Sequence, residues 1–235
     1  MQIKFYFFLV LGIALSIECY RAPFQPTQFL GPKEPYTYTI MLSPQGDSKS
    51  PGRLTPDGTE RGVTRLWAEQ IKKALEVSNP HIRVVFSHNL GEQISQQEKA
   101  NFANRLQIQL FISLLFFTDD TLSLSPYYYG TNNIQMIGQP KSLTFCKQQH
   151  ANVFSATTTP LYLNNIYKTL SSDPYLKNIT VRCPVKAPLN CLMGIKAPAI
   201  AFEAGLKQSQ DWRYYVKPIV QAIDALIKNL PGQQS

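Results

Sequence analysis

The chain has 235 residues, 44% of them hydrophobic and 16% charged. That length allows one sizeable core or at most two small ones, and so little charge excludes long disordered tracts outside the ends. The formal net charge of +8 comes from basic residues scattered along the chain; it describes a basic surface and gives no footprint for nucleic acid.

Residues 5–17 are an uncharged apolar run behind Lys4. A membrane span needs roughly 20 apolar residues, whereas this run has the length of a signal-peptide core. Residues 1–19 therefore read as a signal peptide or, if uncleaved, an anchor. Glu18 stands where lipid attachment at Cys19 requires a small residue. Export permits disulfides. Cys146, Cys183 and Cys191 are an odd number, so Cys183 and Cys191 either pair across a short loop or stay as buried thiols. Residues 20–35, rich in Pro and polar side chains, form a linker.

Residues 36–42 are aromatic and apolar and close on Ser43-Pro44, which predicts a buried strand. A loop dense in Gly, Pro, Ser and Asp fills 44–58. Over 60–75, Val63, Leu66, Trp67, Ile71, Ala74 and Leu75 fall on one stripe at helical spacing. Residues 82–86 are a second strand, and 96–105 a helix with Ala100 and Ala103 on one side. Residues 110–117 are nearly all apolar, as in a strand covered on both faces. The pattern weakens over 118–159, where 126–130, with its three tyrosines, is a candidate strand. A helix over 161–171 and strands over 179–183 and 198–203 follow. The amphipathic helix over 214–230 is stopped by Pro231-Gly232. Strands alternating with helices predict a single α/β domain over residues 36–230, with a mixed, mostly parallel sheet flanked by helices on both faces. Residues 231–235 are a tail.

Five segments carry more than pattern. Ile40-Met41-Leu42-Ser43-Pro44-Gln45-Gly46-Asp47 is a strand running into a loop. Glu60 opens the Val63/Leu66/Trp67 helix. Lys99-Ala100-Asn101-Phe102-Ala103-Asn104 precedes Leu110-Phe111-Ile112-Ser113-Leu114-Leu115-Phe116-Phe117. Late in the chain stands Ala197-Pro198-Ala199-Ile200-Ala201-Phe202-Glu203-Ala204-Gly205-Leu206, with Asp211 after it. In this order the set resembles the zinc-dependent N-acetylmuramoyl-L-alanine amidases that cleave cell-wall peptides from glycan. The resemblance implies a metal ligand at Glu60 and a catalytic general base at Glu203. It also implies histidine ligands at two positions where this chain has Gln45 or Gly46, and Leu115. The chain thus looks like a degenerate member lacking both zinc-ligand histidines.

Zinc in a hydrolase takes three protein ligands and a water, whose pKa it lowers toward 7. Leu115 has no lone pair, and one carboxylate does not hold zinc. The expectation is an exported homologue without cofactor or catalysis, Glu203 being vestigial. The alternative is an active zinc amidase with relocated ligands. His88, at the end of its strand, and His150, four residues from Cys146, are the candidate substitutes. Tyr127 and Tyr129, alternate residues facing one side of a strand, are candidates for stacking on sugar. The expected partner is peptidoglycan or a protein, with no nucleic acid and with membrane contact only through the N-terminal segment. The expected location is periplasmic or secreted. A further reading is an interaction or effector protein with no cell-wall role.

Overall fold

A computed structural model describes residues 38–130 and 148–230 of the chain. The readings made on the signal segment, the linker, Cys146 and the tail lie outside the described residues. The strands are β1 (Tyr38–Pro44), β2 (Leu54–Thr55), β3 (Gly58–Thr59), β4 (Ile82–Phe86), β5 (Leu110–Thr118), β6 (Ser123–Tyr129), β7 (Thr180–Val181), β8 (Val185–Ala187) and β9 (Ala199–Leu206). The α-helices are α1 (Glu60–Ser78), α2 (Gln96–Leu106), α3 (Thr158–Ser172) and α4 (Arg213–Lys228).

Seven strands form one sheet in the order β4-β1-β5-β9-β6-β7, with β8 also paired to β6. β4, β1, β5 and β9 run parallel. β6 lies antiparallel to β9 and carries β7 and β8 parallel to itself. The sheet is mixed and mostly parallel, as the alternation of elements predicts.

Alternation along the strands sorts side chains to two cores. Ile40, Leu42, Ile112, Leu114, Phe116, Ile200 and Phe202 meet Trp67, Ile71 and Leu75 of α1 and Tyr215, Ile219 and Ile223 of α4. The Trp67 and Phe116 rings lie 4.6 Å apart between centroids. On the opposite face Met41, Phe111, Ala199 and Ala201 pack on Ala100 and Ala103 of α2, together with Leu192 and Ile195. Helices thus cover both faces, which is why β5 carries apolar residues at nearly every position.

The weakly patterned middle holds the main departure. β6 begins three residues before the expected strand. Ser123, Ser125 and Pro126 mask it in composition, and pairing with β9 defines it. The expected strand over 179–183 is only two residues long. Cys183 and Cys191 do not pair: Cys183 is exposed, its sulfur 3.4 Å from the Tyr167 hydroxyl, and Cys191 packs against the α2-side core. Among the described residues no helix is long and apolar enough to cross a membrane.

Candidate active-site cleft

The four parallel strands end at one edge of the sheet, where loops of an open α/β sheet converge on ligands. The first turn of α1 sits at this edge and brings Glu60 with it. Glu60 is 1% exposed. One carboxylate oxygen accepts from the Phe116 backbone N–H at 2.7 Å and the other from the Arg53 N–H at 3.0 Å. The Glu60 N–H in turn donates to the Arg53 carbonyl at 2.8 Å, and the Arg61 N–H to the Pro51 carbonyl at 3.0 Å. The loop after β1 is therefore clamped onto the start of α1.

Glu203 stands in the middle of β9, in register with Leu115 of β5 on one side and Ser125 of β6 on the other. Its side chain is half-buried. Oε1 accepts from Nη2 of Arg53 at 2.7 Å, and Oε2 from the Tyr127 hydroxyl at 3.1 Å. Nε of the same arginine lies 3.6 Å from Glu60 Oε2. One guanidinium therefore touches both carboxylates. Burial, and then the charge and hydrogen bond of Glu203, push the Tyr127 hydroxyl above its ordinary range, which keeps it a proton donor.

The structure brings Glu60, Glu203, Leu115 and Tyr127 together and leaves the other candidates apart. Tyr129 is 9% exposed and packs in the α2-side core, so little of its ring is open to a sugar. Gly46 has φ +90 and lies so close to α1 that a Cβ would be 2.8 Å from that of Arg61. His150 is exposed on the 3-10 turn Gln148–Ser155. His88 is buried, but both ring nitrogens are engaged: Nδ1 lies 2.8 Å from the Ser87 hydroxyl and Nε2 3.2 Å from the Gly46 carbonyl. In a ring whose Nε2–H donates to Gly46, Nδ1 is the unprotonated nitrogen that faces the Ser87 hydroxyl.

Desolvation is the main cause that lowers the His88 pKa. The Lys99 charge adds to it, the Gly46 carbonyl opposes it, and the Arg65 and Asp47 charges contribute less, in opposite senses. With the folded pKa below the unfolded one, the unfolded chain binds the proton first as pH falls. Stability is therefore expected to drop as pH descends through and below the ordinary histidine range, near 6.5. His88→Gln should flatten that slope in urea titrations taken across it, and an unchanged slope would show that His88 is not its source.

Cys191 also borders this region. Burial raises its thiol pKa, outweighing the Ser113 hydroxyl and the Lys99 charge, so it is a poor nucleophile. Among the described residues the donors around Glu60 and Glu203 do not fit a zinc ion. Leu115 offers no donor, His88 is already bound on both sides, and a cationic guanidinium stands between the carboxylates. Among the described residues no group of three His, Cys, Asp or Glu side chains gathers that could hold a metal.

No family model and no curated protein matches this sequence. Solved structures do match. The amidase AmiC2 of Nostoc punctiforme superposes with TM-score 0.61 at 15% identity, covering 83% of this chain and 99% of that one. The catalytic domain of CwlV from Bacillus (Paenibacillus) polymyxa var. colistinus gives 0.59 at 13% identity, covering 81% and 96%. Ami1 of Mycobacterium smegmatis gives 0.58 at 14% identity, covering 84% and 100%. The chain has the fold of the N-acetylmuramoyl-L-alanine amidases.

Within this amidase fold the Ala-Asn helix is a fastener. Asn104 donates to the Gly194 carbonyl at 2.9 Å and accepts from the Lys196 N–H at 2.9 Å. Gln96, at the other end of α2, donates to the Met193 carbonyl at 2.8 Å. Together they hold the segment that leads into β9 and so set the position of Glu203. Arg53 is the residue of the cleft that sequence patterns do not single out. It lies in a loop without periodicity, and its partner Glu203 is 150 positions away.

Proposed function

We propose that this chain is a catalytically silent, exported protein of amidase fold that binds peptidoglycan in the cleft beside Glu203. The observation that carries this reading is that, among the described residues, no imidazole gathers with the two carboxylates to ligate a metal, Leu115 standing next to Glu203 in the ladder. A zinc hydrolase needs three ligands and a metal-bound water for its base to act on. Here Glu203 has one oxygen engaged by Arg53 and the other by Tyr127, so it is not a free base. The amidase fold of the neighbours supports cell-wall glycan as the ligand class, and the N-terminal apolar run supports export.

Purified protein exchanged against trace zinc is expected to retain far less than one ion per chain by elemental analysis. Purified sacculi should retain it above a control protein of equal basicity, since net charge alone gives some adhesion. One tightly bound zinc per chain, with peptide release that chelator abolishes and zinc restores, would make it an active amidase instead. Retention no better than the control would remove the peptidoglycan version and leave a protein partner as the ligand.

A further inference from the structure

Resting on the metal-free reading above, we infer that Arg53 is the resident cation of the cleft, a guanidinium held between Glu60 and Glu203 that offsets one of the pair's two negative charges where a divalent ion would otherwise sit. Its Nη2 is 2.7 Å from Glu203 Oε1, and its Nε is 3.6 Å from Glu60 Oε2. Its backbone N–H donates to that same Glu60 oxygen. A planar fork can address two carboxylates from one headgroup, which a lysine ammonium on a flexible stem does less well.

The loop is shaped to deliver this cation. Gly52 has φ +84, and a Cβ there would lie 2.7 Å from Glu60 Oε2. Only glycine lets the backbone come this close in that conformation. The carbonyls of Pro51 and Arg53 accept from the first-turn N–H groups of α1, so Arg53 enters the cleft from a fixed anchor. Glu60 is nearly inaccessible to water, and water is what would otherwise stabilise its charge.

Removing the guanidinium leaves two carboxylates facing a common gap with the Tyr127 hydroxyl beside it. Such an all-oxygen set takes hard divalent cations such as Ca²⁺ or Mn²⁺. Arg53→Ala is therefore expected to create a cation dependence that the native chain lacks.

The test is thermal melting of the full chain in chelator and in millimolar Ca²⁺ or Mn²⁺. The native protein should melt alike in all three. Arg53→Ala should melt roughly 3 °C lower in chelator, the arginine being half-exposed, and regain most of that loss with either ion. Arg53→Lys should fall between. Arg53→Ala combined with Glu203→Gln should recover without any ion, because the surplus charge is gone. Native-like melting of Arg53→Ala, or no response to cations, would overturn the inference. If Arg53→Ala yields no folded protein in chelator, the double variant decides: folding supports charge compensation, and failure to fold shows that Arg53 acts by packing. Tight zinc in the native protein would sink the metal-free reading, a result distinct from a zinc-free native protein whose Arg53→Ala variant ignores cations.

Discussion

Glu60→Ala is expected to lower folding stability by roughly 3 kcal/mol, read as a shift of the urea midpoint at constant slope. Glu60 ties three parts of the cleft together. Its carboxylate receives N–H groups from β5 and from the loop before β2, at 2.7 and 3.0 Å, and the Arg53 side chain approaches the same oxygen. Alanine leaves those donors without a partner at a site that water scarcely reaches, and a buried unpaired N–H costs about 1–3 kcal/mol. Glu60→Gln keeps one acceptor and turns an N–H toward the other donor, so an intermediate loss is expected. A side chain that served only as a metal ligand would be nearly silent in metal-free protein. A loss under 1 kcal/mol would therefore show that these hydrogen bonds do not stabilise the fold.

Gly52→Ala is the second large effect, about 2–4 kcal/mol of destabilisation. Two causes add. The backbone at φ +84 disfavours any side chain, and the new methyl would overlap Glu60 Oε2 at 2.7 Å and its Cβ at 2.9 Å. Glu60 cannot retreat easily, because its other oxygen is held by the Phe116 N–H. Gly91 is the internal control. It has φ +86 but nothing within 4 Å of where a Cβ would stand, so Gly91→Ala reports backbone strain alone. The difference between the two variants in denaturant titrations measures the close approach of the loop to Glu60. Equal losses would show that the approach can relax at no cost.

Local pattern carried much of the architecture. The strand expected at 82–86 is found over those residues, and the stripe from Val63 to Leu75 is the buried face of α1, with Leu66 at its half-exposed margin. These features repeat within a few residues, so burial on one face leaves its mark in the sequence. β6 left a fainter mark because Ser123, Ser125 and Pro126 are poor strand formers, and a long-range partner, β9, places them. The disposition of His88 was hidden for a related reason. Its end-of-strand position is local, but the engagement of both nitrogens depends on Gly46, 42 positions away.

The order of strands and helices, Leu115 where the resemblance asks for a histidine, Glu60 at the start of a helix and Glu203 within a late strand were all legible in the sequence itself, although β9 runs on to Leu206 rather than ending at Glu203. The meeting of those glutamates on Arg53 was decided only in the tertiary structure. That contact joins a loop to a strand 150 positions later, and it depends on how Gly52 lets the backbone lie against Glu60. Periodicity does not encode such a contact, since loops carry no repeating face and an ion pair forms wherever the chain brings its two ends into reach.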